Sequence, residues 1–153
     1  MARRDDPRLQ VWQQFLVAHA ALTDVLEREL VEAFGLPLSW YDVLVQLNAA
    51  GGRRRMSDLA SSVLISRSGL TRLVDRMADA GLVRREASAD DRRGAEAVLT
   101  DKGMATLRKT APTHLRGIEE HFSRHLTTQE TKTMTGALRK IVAASSRAEP
   151  ADG

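Results

Sequence analysis

The residues best suited to chemistry lie between positions 66 and 76. Ser66, Arg67, Ser68, Thr71, Arg72 and Arg76 gather on one face of a segment whose apolar residues, Leu70, Leu73, Val74 and Met77, recur at helical steps. Guanidinium groups reach guanine edges or phosphates in a fixed fork, and Ser or Thr hydroxyls serve either target. Gly69 keeps that face low in bulk, as the floor of a DNA major groove requires. Asp75 shares the face, and the same pattern also describes an ordinary solvated helix surface. The surrounding chain has to decide between the two.

Charge distribution is the first discriminator. The chain of 153 residues carries a net charge of +3, but residues 53–93 hold 10 Arg, no Lys and 6 acids, a local +4. The other 112 residues hold 13 basic and 14 acidic groups, a net −1. Such a concentrated excess is the electrostatic footprint of a nucleic-acid-binding segment. With 42% hydrophobic and 28% charged residues the composition is globular, which excludes a disordered polyelectrolyte. There are no cysteines, so disulfides and thiolate metal sites are excluded. No apolar run approaches the ~18 residues that would span a bilayer. The Arg-Arg-Asp-Asp start does not read as a signal peptide, and a cytoplasmic protein without membrane partners is expected.

The elements that must position these groups follow from periodicity and punctuation. Residues 8–34 read as a long helix whose apolar face, widened by Trp12, Leu16, Leu30 and Phe34, exceeds what one small lobe can cover; part of it is expected to meet a second chain. Gly35 to Ser39 breaks it, and Ser39 reads as the cap of a helix from Trp40 to about Ala49. Arg53-Arg-Arg-Met56 reads as extended, Ser57 as the cap of a short helix to Val63, and Leu64-Ile65 as a tight turn. Ser66 caps the next helix and Gly81 ends it, which completes a helix-turn-helix. Residues 82–87 and 95–99 read as two strands around a basic turn, the wing of a winged helix.

Thr100 caps a further helix that Pro112 either kinks or splits. Thr127 and Glu130 form a capping box for a last helix to about Ser145, and residues 147–153 read as a disordered tail. The expected architecture is mainly α with a small β-hairpin: a winged helix-turn-helix lobe at 38–99 between terminal helices at 8–34 and 101–146, all in one domain.

Leu73-Val-Asp-Arg-Met-Ala-Asp-Ala-Gly-Leu-Val-Arg-Arg85, then Asp91-Arg-Arg-Gly94, then Val98-Leu-Thr-Asp-Lys-Gly103 resembles the MarR family of transcriptional regulators. The ordered combination carries the likeness, which extends over nearly the whole chain. It implies a homodimer held by the terminal helices, which presents two recognition helices to a roughly palindromic operator on double-stranded DNA, most simply as a repressor. The resemblance places Arg93 in the minor groove with Asp91 orienting the wing tip. Arg92 suits a backbone phosphate. Within the helix, Arg67 and Arg72 are the expected base readers. Ser66 and Ser68 could also hold a phosphate, and Arg76 either joins them or pairs with Asp75 or Asp79. Arg53, Arg54 and Arg55 are either phosphate contacts or simply exposed.

Many proteins of this family release DNA when a small aromatic or phenolic ligand binds, so Trp12, Phe15 and Trp40 are candidate ligand contacts, or else core. His114, His121 and His125 share a stripe with spacings of 7 and 4. They suit a zinc-sensing alternative, or simply border an apolar face. No cofactor is expected. An enzyme is disfavoured, because the chain has no phosphate loop, nucleophile elbow or His-Glu metal motif. A winged helix used only for protein contacts does not explain the local arginine excess.

Overall fold

The computed structural model describes residues 6–63, 66–89 and 94–146, with the side chains of Arg67 and Ser146 excepted. Among the described residues six helices and three strands run in the order α1 (Pro7–Phe34), α2 (Leu38–Ala49), β1 (Arg53–Arg55), α3 (Met56–Ser62), α4 (Arg67–Asp79), β2 (Val83–Ala87), β3 (Ala95–Leu99), α5 (Asp101–His121) and α6 (Thr128–Ser146), with a 3-10 turn at Ser123–His125. This is the mainly helical, winged arrangement that the sequence pattern implies. The described chain forms two compact units, divided between Arg116 and Gly117.

The first unit is built around one apolar cluster. Leu30 of α1, Val43, Leu44 and Leu47 of α2, Leu59 of α3 and Leu70, Val74 and Met77 of α4 are all buried together with Val83 and Ala97 of the sheet. Burying side chains of this size contributes about 1.5–3 kcal/mol each, so the lobe that presents α4 is held mainly by these contacts. The α4 stripe predicted from spacing is the face that enters this core.

Local signals act as expected at several ends. The Ser66 hydroxyl accepts from the Gly69 amide at 3.1 Å and starts α4. At the other end Gly81 adopts φ 78°, and the Leu82 amide returns to the Met77 carbonyl at 3.0 Å. A residue with a Cβ resists that left-handed turn, which explains the glycine. In the second unit the capping box is formed: the Thr127 amide donates to Glu130 Oε2 at 2.8 Å, and the Glu130 amide donates to Thr127 Oγ1 at 3.2 Å. Helix α5 runs unbroken through Pro112.

Two helix starts and the sheet differ from expectation. Helix α2 begins at Leu38, with Pro37 rather than Ser39 as its cap. The first free amide is satisfied from another helix, because Leu38 donates to Glu27 Oε2 of α1 at 3.2 Å. Helix α3 begins at Met56, with Arg55 as its cap and Ser57 already inside the first turn. Its start is set by the strand that feeds it. The expected extended run at 53–56 is a third strand only over 53–55, and the sheet order is β1-β3-β2, with Arg55 opposite Glu96 and Glu86 opposite Glu96. The Leu64-Ile65 turn, the wing tip at 90–93 and the tail from 147 lie outside the described residues.

Candidate nucleic-acid interface

Helix α4 is anchored by its apolar stripe, so its opposite face is turned outward. Ser68, Arg72, Asp75 and Arg76 are exposed there, and Thr71 is half-buried. The Ser66 and Ser68 hydroxyls lie 3.4 Å apart at the helix start. Ser66 Oγ already accepts the capping hydrogen bond, which leaves its proton and one lone pair for a further partner. Among the described residues, Arg72 and Arg76 form no ion pair. For Arg76 that removes the expected partners. Asp75 is taken by Arg85 of β2, whose Nη1 donates to Asp75 Oδ1 at 2.9 Å. The backbone of Arg67 opens the helix. Asp91, Arg92 and Arg93 lie outside the described residues.

Several arginines of the basic window prove to be structural. Arg53 bridges Glu86 at 2.9 Å and Glu96 at 3.3 Å. Arg84 reaches Glu86 at 3.0 Å, and Arg54 Nη1 donates to Gln46 Oε1 of α2 at 3.0 Å. The guanidinium of Arg84, followed by that of Arg53, holds the Glu86 carboxyl below the usual carboxylate range. The number of arginines in the window therefore overstates the cations free to meet a polyanion. No spacing rule reveals the pairing of Arg53 with Glu96, which are 43 residues apart.

A second group joins α4 to α5: Thr100 caps α5 as its position predicts, but spacing does not reveal its reach back to the end of α4. Thr100 Oγ1 donates to the Gly81 carbonyl at 2.6 Å and accepts from the Gly103 amide at 3.0 Å. Lys102 Nζ donates to the Ala80 carbonyl at 2.7 Å, a cation at the negative end of α4. A Cβ at Gly103 would collide with the Leu82 carbonyl oxygen. The Leu-Thr-Asp-Lys-Gly run is thus a joint that fixes the end of α4 against the first turn of α5.

The aromatic and histidine candidates are dispersed. Trp12 and Phe15 stack on the exposed side of α1 with ring centroids 6.1 Å apart, and His19 continues the ladder at 6.5 Å. Trp40 instead packs against the core cluster from α2. His114 rests on the Tyr41 ring at 4.4 Å, and its Nδ1 is buried with no hydrogen-bond partner among the described residues. Burial lowers the His114 pKa below its ordinary value, against an opposing pull from Glu29. His125 Nε2 lies 3.1 Å from the Glu120 carbonyl oxygen. Among the described residues no group of three or more His, Asp or Glu side chains could hold a metal ion. No helix of the described residues is long and apolar enough to cross a membrane.

The MarR family model matches residues 34–94, the span from the end of α1 to just before β3. AbsC, a MarR family transcriptional regulator from Streptomyces coelicolor, is 38% identical with a TM-score of 0.87, and the match covers 97% of this chain and 100% of that one. Sco3205 from the same organism, a MarR family regulator solved in complex with DNA, is 35% identical with a TM-score of 0.85 over 95% of this chain and 91% of its own. The HTH-type transcriptional regulator PecS of Dickeya dadantii (strain 3937) is 29% identical over 145 residues, 89% of this chain and 84% of PecS. With α4 set on its lobe, a wing behind it and relatives of this similarity, the chain belongs to the MarR family of DNA-binding, winged-helix transcriptional regulators.

Proposed function

We propose that two copies of this chain bind a roughly palindromic operator and repress transcription by occupying it. The observation that carries this reading is the outward face of α4, where Arg72 and Arg76 stand exposed opposite a fully buried stripe. Arg67 and Arg72 read base edges in the major groove, each contact contributing about 1–3 kcal/mol of discrimination. Ser66, Ser68 and Thr71 hold phosphate or base edges near the helix start, and Arg76 meets the backbone. Arg93 enters the minor groove, Asp91 orients it through a charge-assisted hydrogen bond, and Arg92 meets a phosphate. The DNA complex of Sco3205 supports the choice of duplex DNA as partner.

Dimerisation accounts for the apolar surface that single units leave exposed. Helix α1 exposes Val11, Trp12, Phe15, Leu16 and Val17, and α6 exposes Met134, Leu138, Ile141 and Val142. Monomers seldom expose so many large apolar side chains on one helix, and a second copy would cover them. Two recognition helices related by a two-fold axis then meet half-sites about 10 bp apart. A small aromatic or phenolic effector, held against Trp12, Phe15 and Trp40, releases the operator if it binds the DNA-incompetent form more tightly. The protein works in the cytoplasm, with the DNA it reads.

Selection of bound duplexes from a random pool tests the reading. Recovered sites should share an inverted repeat with half-sites one helical turn apart, and footprints should protect both. Recovery of sites without a repeat would reject the two-fold arrangement.

A further inference from the structure

Glu86 and Glu96 are cross-strand partners in the β2–β3 register, so their carboxylates project from the same sheet face. Like charges directly opposite one another destabilise a strand pair. Arg53, on the far strand β1, lies over both: Nη2 meets Glu86 at 2.9 Å and Nη1 meets Glu96 at 3.3 Å. One guanidinium therefore ties all three strands together on their outer face. Arg84 adds a second cation to Glu86, so the face alternates Arg84, Glu86, Arg53, Glu96. The Glu96 side chain is only 15% exposed, which makes its cation matter more than in a fully solvated pair. Strands β2 and β3 are the paired strands of the wing, and it is their pairing that this clamp holds.

We infer that Arg53 is a positioning residue for DNA binding: it acts by clamping the wing sheet through Glu86 and Glu96, not by touching phosphate. This rests on the DNA-binding reading above. The clamp is a property of this chain's own side chains, and it converts one arginine of the basic window from a ligand contact into a strut.

The test combines binding with amide exchange. Arg53→Gln should lower affinity for a duplex selected by the unaltered protein by about fivefold. The slope of log affinity against log salt should stay the same, because no phosphate contact is lost. In the free protein, amides of Ala95–Leu99 should exchange faster. The triple variant Arg53→Gln/Glu86→Gln/Glu96→Gln should return exchange to the original rate, because the repelling pair is gone. A slope reduced by about 0.9 would make Arg53 a phosphate contact and overturn the inference. Unchanged affinity, or unchanged exchange in the Arg53→Gln protein, would overturn it as well. If the unaltered protein retains no duplex at all, the DNA-binding reading itself fails and the role of Arg53 fails with it. If the unaltered protein binds and Arg53→Gln binds equally well, the role fails alone.

Discussion

Lys102 Nζ donates to the Ala80 carbonyl oxygen at 2.7 Å, so the last turn of α4 is closed by the first turn of α5. Thr100 and Gly103 complete the same joint, with Thr100 bonded to both chain segments and Gly103 packed on the Leu82 carbonyl. The helix that faces DNA is thereby fixed to the helix that follows the wing.

Gly103→Ala should therefore be among the most disruptive small changes in the protein. Its methyl group meets backbone that cannot move aside, and overpacking of this kind costs about 1–3 kcal/mol. Lys102→Met should cost less, about 0.3–1 kcal/mol, as a lost charge at a helix end. Urea denaturation midpoints report both, and equal effects would show that the close approach at Gly103 is unimportant.

Arg72→Ala and Arg76→Ala should change stability by no more than about 0.5 kcal/mol, since both are exposed and form no ion pair among the described residues. Arg72→Ala should relax preference at one or two operator positions in a selection assay, at about 1–3 kcal/mol. Arg76→Ala should weaken all sequences alike and reduce the salt slope by about 0.9. The opposite pattern would exchange their roles.

His114 makes stability depend on pH. Its folded pKa lies below the ordinary 6.5 because burial disfavours the imidazolium. The unfolded chain then binds the proton more readily, so stability is full above 6.5 and falls as pH drops through that value, until the folded form protonates too. His114→Gln should flatten this part of the stability profile below pH 6.5. A profile that keeps its slope would assign the effect to other groups.

The exposed apolar faces give a direct test of assembly. Val17 is 62% exposed and Ile141 60% exposed in the single chain, so neither supports the core. Val17→Asp and Ile141→Asp should leave helix content intact and shift sedimentation toward the monomer. Operator affinity should fall with it, because two half-sites are no longer bound together. Unchanged sedimentation in both variants would place the interface elsewhere.

Much of this molecule is written in local pattern. The Leu70-Leu73-Val74-Met77 stripe, the Ser66 cap, the Gly81 turn and the Thr127–Glu130 box depend on neighbours within one or two helical turns, so periodicity and capping rules reach them. That stripe alone determined which side of α4 is turned inward, and hence that Arg72 and Arg76 face outward. Pattern could not say which arginines remain available. Arg53 and Arg85 find their acids 33 and 10 residues away, across strands and between helix and sheet. Nor could it say that Glu27 would cap α2 in place of Ser39, that residues 53–55 would pair as a third strand, or that His114 would lie on Tyr41. Those outcomes belong to the tertiary structure, because a charge or ring is paired by whatever folding brings within a few ångströms of it, and chain distance does not record that.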